Sequence, residues 1–159
     1  FEIQPSARFV WRAQENVTVW GAISRAVRTP SRAEDDIRAI ATVIPPGFPG
    51  NPGPVPLAFQ FTGDRSIDSE TLLAYELGAR FRVSENVSVD VTGFYNKYAD
   101  LRGSRIGAPA LTLTPTPHAI LPLTVDELVD ADTHGVEAVL DWQVAPNWRL
   151  QATYAYLSV

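Results

Sequence analysis

The acidic side chains are the residues of this sequence that could most readily do chemistry. Asp90 and Glu137 could form a carboxylate pair of the kind that glycosidases use for acid and base catalysis. Four further acidic residues stand close together in the sequence and could instead hold Ca²⁺, which prefers carboxylate oxygens. They are Asp126, Glu127, Asp130 and Asp132. Their spacing matches no EF-hand loop, and a polar strand face supplies carboxylate pairs without any catalytic role.

The sequence offers few candidate residues for other kinds of catalysis. The chain has 2 histidines, His118 and His134, and no cysteine. The sequence contains no Gly-x-Ser-x-Gly, no His-Glu-x-x-His and no phosphate-binding glycine loop. Its 13 Lys and Arg against 18 Asp and Glu give a net charge of −5, which argues against nucleic-acid binding. The sequence therefore predicts no enzyme, no catalytic residue, no metal ion and no cofactor.

The elements that carry these charges are three predicted β-hairpins. A short polar triplet (residues 14–16, 84–86 and 145–147) separates two alternating segments in each case, which is a hairpin signal. The hairpins are expected at about 4–26, 71–99 and 134–158, with long loops at about 27–69 and 100–133. The predicted fold is all-β, an antiparallel up-and-down meander of about six long strands.

Alternation assigns each strand an apolar face and a polar face. In residues 71–83, for example, Leu73, Tyr75 and Leu77 alternate with charged side chains. The charged residues on the polar faces are expected to face a wet interior. They are Arg8, Arg12, Glu76, Arg80, Arg82, Asp90, Glu137, Asp141 and Arg149. Their simplest role is to pair with one another and with water in a polar lumen.

Strand length and aromatic placement favour a transmembrane β-barrel. The segments are about 10–13 residues long, and a tilted membrane strand needs roughly 9–11. Phe81, Trp142 and Trp148 lie beside the short turns, whereas Tyr95 and Tyr156 lie towards the other strand ends, as aromatic belts at two interfaces would. The alternative is a soluble or secreted β-sandwich for adhesion or carbohydrate binding, in which the apolar faces pack on another sheet.

The order of several short motifs resembles the barrel of TonB-dependent outer-membrane receptors. Residues 20–31 resemble a family strand that runs into an Arg-x-Pro element, and residues 75–78 resemble its Tyr-Glu-Leu-Gly strand. Residues 92–101 look like a Phe-Tyr-x-x-Tyr-x-Asp-Leu strand end. Residues 133–137 resemble a Gly-x-Glu strand start, and residues 148–157 a Tyr-x-Tyr-Leu strand. The motifs cover nearly the whole chain.

This resemblance implies an internal fragment, residues 1–159, of a 22-stranded plugged barrel in the bacterial outer membrane. It implies energy-coupled uptake of a scarce nutrient such as a ferric siderophore, a small-molecule or metal-chelate ligand. The fragment would form barrel wall and external loops. The implied partners are outer-membrane lipid and lipopolysaccharide, and in the parent protein a plug domain and the TonB coupling protein. No plug and no coupling box stand in this sequence.

The long loops are where the ligand is expected. The candidate ligand-binding residues are Arg28, Arg32, Arg38, Phe59, Phe61, Arg102 and Arg105. Within the second loop, Thr124 and Glu127 have the spacing of a capped helical turn. Arg25 and Lys97 share the parity of the lipid face next to the loops, and we expect them either to meet lipopolysaccharide phosphates or to turn into solvent.

Overall fold

The computed structural model describes residues 1–126 and 129–159, and it is almost entirely β-structure. Its elements are β1 (Ser6–Gln14), β2 (Val17–Arg28), α1 (Arg32–Asp36), β3 (Arg38–Ile44), β4 (Leu57–Thr62), β5 (Glu70–Ser84), β6 (Val87–Ile106), β7 (Ala110–Thr112), β8 (His118–Ala145) and β9 (Trp148–Ser158). Two compact units are present. The wall unit comprises residues 1–27, 71–99 and 130–159, and the loop unit comprises residues 28–70 and 100–129.

The wall unit is an antiparallel meander in the order β1-β2-β5-β6-β8-β9, which confirms the predicted architecture. In each of its three hairpins a two-residue turn joins the two strands. The strand register shifts by one residue just before that turn. The turns also connect consecutive hairpins, because the Asn16 carbonyl accepts from Arg82 N–H and the Asn86 carbonyl accepts from Gln143 N–H. The same turn and register shift therefore occur three times, and a turn carbonyl connects one hairpin to the next twice.

The wall unit is one layer thick in the part of the chain that the structure describes. Ala58 and Ile67, both in the loop unit, are the buried apolar residues among the described positions. Large apolar side chains of the sheet are exposed, with Leu77 60% and Tyr154 64% accessible. The β-sandwich alternative requires these side chains to be covered by a second sheet, so this arrangement argues against it.

Three buried glycines allow aromatic rings to lie flat on neighbouring strands. The Phe9 ring covers Gly21, the Trp20 indole covers Gly78, and the Phe94 ring covers Gly135. A Cβ at any of these positions would clash with the ring atoms. In a single-layer sheet, these contacts give the aromatic rings intramolecular packing that a second layer would otherwise provide.

The loop unit is more ordered than predicted, because both long loops contain regular structure. Residues of the first loop form α1 and the antiparallel pair β3–β4, and β4 then pairs in parallel with the first part of β8. The helical turn predicted at Thr124 is wrong, because Thr124 lies in β8 and pairs with Thr62. Glu127 lies outside the described residues. Among the residues described, no helix is long and apolar enough to span a membrane.

Asn51 organises the Pro-rich connection between β3 and β4. Its side chain is 4% exposed, and its Nδ2 donates to the carbonyls of Ile44 at 2.9 Å and Val55 at 2.8 Å. Its Oδ1 accepts from Gly53 N–H at 3.2 Å. Since a buried amide must have hydrogen-bond partners, one side chain fixes both sides of this loop.

We expect the substitution Gly78→Leu to destabilise the intact protein that carries this chain by about 1–3 kcal/mol, because the new side chain must displace the Trp20 indole. Urea unfolding in detergent, followed by tryptophan fluorescence, measures this loss. Gly93→Leu is the matched control, since a Cβ there meets only the Gly135 carbonyl oxygen at 3.9 Å. Equal unfolding midpoints for the two variants would contradict the role given to the Trp20–Gly78 contact.

Candidate functional site

The polar face of the wall unit forms a concave cavity of about 760 Å³ near the short turns. Side chains of β2, β5, β6, β8 and β9 line it. Arg80 Nε donates to Asp90 Oδ1 at 2.6 Å across the β5–β6 pair. Arg149 Nε contacts both Asp141 oxygens, at 2.8 and 2.9 Å, across the β8–β9 pair. Four of the charges predicted to face the lumen thus form two ion pairs between neighbouring strands, each partly exposed to water.

Five of the predicted lumen charges make no ion pair or side-chain hydrogen bond within residues 1–126 and 129–159. They are Arg8, Arg12, Glu76, Arg82 and Glu137. All five are exposed on the strands of the wall unit. The polar face therefore combines two internally neutralised pairs with five charges that remain available to a partner or to water. Whether this face lines a lumen stays a prediction.

A four-residue charge cluster lies in the loop unit, formed by Arg28, Glu34, Glu70 and Arg102. Arg28 Nη1 lies 2.8 Å from Glu70 Oε2, and Arg28 Nη2 lies 2.9 Å from Glu34 Oε1. Arg102 Nη1 lies 2.6 Å from the same Glu34 oxygen, and the Arg102 backbone N–H donates to Glu70 Oε1 at 3.0 Å. The charge cluster connects the end of β2, α1, the start of β5 and β6.

Helix α1 places Glu34 in the charge cluster through a capping box. The Ser31 hydroxyl accepts from Glu34 N–H at 3.3 Å, and Glu34 Oε2 accepts from Ser31 N–H at 2.7 Å. The hydrogen bonds from the Ser31 backbone and hydroxyl, together with Arg102, lower the pKa of Glu34 to about 2. Glu34 is therefore a carboxylate throughout the physiological pH range.

Arg102 is the most buried member of the charge cluster. Its side chain is 6% exposed, and its Nη2 donates to the carbonyls of Arg28 and Asp68 at 3.5 and 3.4 Å. The buried Nε makes no hydrogen bond among the described residues, and Nη1 contacts Glu34 as an ion pair whose N–H direction is not aligned for a hydrogen bond. A guanidinium held in this way positions the surrounding backbone rather than facing solvent.

The structure distributes the seven predicted ligand-binding residues over different environments. Arg28 and Arg102 meet in the charge cluster, and Arg105 pairs with Asp126 at 2.5 Å. Arg32 and Arg38 are exposed and make no ion pair within the described ranges. Phe59 and Phe61 lie on β4, where Phe61 is 41% exposed. Ligand contact by any of these residues stays a prediction.

Sequence reasoning missed Glu34, Glu70 and Asn51. A detectable signal existed for Glu34, because Ser31 and Glu34 have the Ser-x-x-Glu spacing of a capping box. As for the predicted alternative of a Ca²⁺ site, no group of three or more possible metal ligands occurs among the described residues. Glu127, one of the four acidic residues in that proposal, lies outside them.

Comparison with known proteins gives consistent matches over the chain. The family model "TonB dependent receptor-like, beta-barrel" matches residues 2–159. An iron-regulated outer membrane virulence protein of Vibrio cholerae is 24% identical over 154 residues, covering 96% of this chain and 22% of that protein. The chain thus spans about a fifth of the length of the curated relatives it matches.

Two crystal structures of receptors share the fold at low sequence identity. The siderophore receptor PirA of Acinetobacter baumannii matches with a TM-score of 0.71 and 19% identity, over 97% of this chain and 22% of that one. A variant of the ferric enterobactin receptor PfeA of Pseudomonas aeruginosa, in complex with enterobactin, matches with a TM-score of 0.74 and 17% identity, over 98% and 22%.

We expect the charge cluster to make the loop unit sensitive to acid. Folding lowers the pKa of Glu34 to about 2. The stability that the Glu34 carboxylate gives to the loop unit is therefore complete above its unfolded pKa near 4.5, and it is lost as the pH falls towards 2. Hydrogen exchange of residues 31–37 in the intact protein, corrected for intrinsic rates, should therefore show protection falling between pH 5 and about 2.

The variant Glu34→Gln should show the weaker protection already at pH 6, with a smaller further change on acidification. Glu15→Gln is the matched control, since Glu15 is exposed in the first short turn. Wild-type protection of residues 31–37 in Glu34→Gln would contradict the role of the charge cluster.

Proposed function

Because the chain belongs to the TonB-dependent receptor-like β-barrel family of the bacterial outer membrane, we propose that it forms part of a receptor for energy-coupled nutrient uptake. The wall unit forms barrel wall, and the loop unit belongs to the external ligand-binding surface. The nutrient is a scarce metal carried as a small-molecule chelate, such as a ferric siderophore. Transmembrane barrels have short periplasmic turns and long external loops, so the two-residue turns mark the periplasmic side.

The observation that carries this proposal is the single-layer sheet with two unlike faces. One face exposes apolar side chains such as Leu77 and Tyr154, and the other carries the paired charges Arg80–Asp90 and Arg149–Asp141. A water-soluble sheet would have to cover its apolar face, whereas a barrel wall leaves that face to lipid. Lipid also requires every backbone group to be paired, so the outer edges of β1 and β9 would pair with further strands.

The partners of this receptor follow from the polar face. We assign Arg8, Arg12, Arg82, Glu76 and Glu137 to the contact with a plug domain, because they make no ion pair within the described residues. A TonB-type coupling protein would act on that plug rather than on this chain.

The ligand would be recognised by the loop unit. Arg32 and Arg38 are exposed cations without an ion pair in the part of the chain described, and they suit an anionic chelate. Phe59 and Phe61 offer apolar contact on β4. The similarity to an iron-regulated protein and to receptors for siderophores supports iron as the metal. Arg28 and Arg102 act instead on the loop backbone through the charge cluster.

The experiment follows uptake of radiolabelled ferric siderophores, of catecholate and of hydroxamate type, by iron-starved cells that carry the intact receptor. We expect uptake of at least one class, and loss of that uptake in cells without the TonB protein. The variant Arg32→Gln/Arg38→Gln should weaken binding of an anionic chelate roughly tenfold. Arg80→Gln/Arg149→Gln, which removes two cations that pair with Asp90 and Asp141 in the wall unit, is the matched control for binding.

Uptake that continues without TonB would contradict energy coupling. Absence of binding for every chelate, with a folded receptor in the membrane, would contradict the proposed ligand class. Unchanged affinity in Arg32→Gln/Arg38→Gln would remove these two residues from the binding surface.

A further inference from the structure

Helix α1 carries Arg32, one of the two exposed cations of the proposed ligand surface, and it has no apolar packing of its own. The helix has five residues, and none of them is buried. A helix this short does not form by propensity alone, because its nucleation costs more than its few hydrogen bonds return. The position of Arg32 therefore depends on the polar contacts that hold α1 to the rest of the loop unit.

The C-terminal end of α1 is held by backbone hydrogen bonds. Gly63 N–H donates to the Ile37 carbonyl at 2.8 Å, and Asp64 N–H donates to the Glu34 carbonyl at 2.9 Å. A Cβ on Gly63 would clash with the backbone of residues 34–35, so the connection after β4 lies directly against the helix. The N-terminal end, where Arg32 lies, is fixed by side chains instead.

Arg102 holds the chain on both sides of Arg32. Its Nη2 donates to the Arg28 carbonyl at 3.5 Å, before the helix, and its Nη1 lies 2.6 Å from Glu34 Oε1, inside the helix. These two contacts bracket the segment that carries Arg32. Glu34 extends the constraint to the helix start, because Glu34 Oε2 accepts from Ser31 N–H at 2.7 Å.

Burial distinguishes Arg102 from the other cations that contact α1. Arg102 is almost fully buried, whereas Arg28 beside Glu34 and Arg65 beside Asp36 are exposed. Water screens an exposed ion pair strongly and a buried one much less. The buried Arg102 Nε also makes no hydrogen bond among the described residues. Since a buried guanidinium with incomplete bonding contributes little net stability, the arrangement accords with a role in fixing one geometry.

The second exposed cation, Arg38, is held by another part of the loop unit. It begins β3 and pairs with Thr62 of β4, and the antiparallel pairing continues to Ile44 and Leu57. Because this pairing does not involve the charge cluster, Arg38 serves as an internal control for any effect that passes through α1.

We propose that Arg102 is a positioning residue of the ligand site, which acts through Glu34 to place α1, and thereby Arg32, for contact with an anionic chelate. This inference rests on the proposed function and adds to it, because the buried Arg102 acts through another residue rather than on the ligand. Arg102 belongs to residues 100–129 and Glu34 to residues 28–70, so one long connection controls a cation that the other carries.

The test is a double-mutant cycle on the intact receptor, in which calorimetric titration measures the affinity for an anionic ferric tris-catecholate. The uncoupled variant Arg102→Met/Glu34→Gln removes both charges of the buried contact, and Gln at residue 34 can still complete the capping box. We expect it to lower the affinity about threefold, as much as Arg32→Gln does. It should cause no further loss in the Arg32→Gln background and the full threefold loss in the Arg38→Gln background.

Arg65→Met/Asp36→Asn is the matched control, since it removes the exposed ion pair of α1 while the backbone hydrogen bonds at the same end remain. Its affinity should equal that of the wild type. Arg102→Lys keeps a cation beside Glu34 but loses the planar fork that also reaches the Arg28 carbonyl, so its affinity should lie between those of the wild type and the uncoupled variant. It also tests the proposal if the uncoupled variant fails to fold.

An additive loss in the Arg32→Gln background would overturn the proposal, as would wild-type affinity in the uncoupled variant and in Arg102→Lys. An equal loss in Arg65→Met/Asp36→Asn would also overturn it, because any disturbance of α1 would then have the same effect. A wild-type receptor that binds only uncharged chelates would overturn this inference alone. A wild-type receptor that binds no chelate would contradict the proposed function as well, so the two failures are distinguishable.

Discussion

The alternation of side chains between two faces of one sheet is the constraint on which the rest of this structure depends. An extended strand must send consecutive side chains to opposite sides, so each hairpin sorts its residues without help from a second layer. Leu77 and Tyr95 end on one face, while Arg80 and Asp90 end on the other. A shift of one residue in any register would move the charged side chains of that strand to the apolar face and its apolar side chains to the polar face.

Keeping that register in a single layer requires contacts that a core normally supplies. Here the contacts are rings that lie on glycines, such as Trp20 on Gly78 and Phe94 on Gly135. They join β2 to β5 and β6 to β8, the neighbours that long connections separate in the chain. The carbonyls of Asn16 and Asn86 join the same pairs of strands at the turns. The register of β2 on β5 and of β6 on β8 is therefore fixed by a ring contact and by a hydrogen bond at a turn, since no tight turn connects these strands.

The hairpins and their faces were predictable because their signals are local. A polar turn and a period of two can be recognised within about ten residues, and the charged pair Arg149–Asp141 follows from them. The charge cluster was not predictable in the same way, since Arg28, Glu70 and Arg102 meet from three distant segments. The parallel pairing of β4 with β8, in which Leu57 pairs with Ala119, was not predictable either, because no spacing pattern in the sequence indicates it. Within the charge cluster, only the capping box formed by Ser31 and Glu34 could be recognised from the local sequence.

The repeated hairpin has a consequence for how such a wall can change during evolution. Each copy carries its own two-residue turn and its own register shift before that turn. The first two copies also present a turn carbonyl, that of Asn16 or Asn86, to a strand of the next hairpin. Duplication or loss of one such hairpin would change the number of strands in the wall by two, and the one new seam would have to form between the strands that become neighbours.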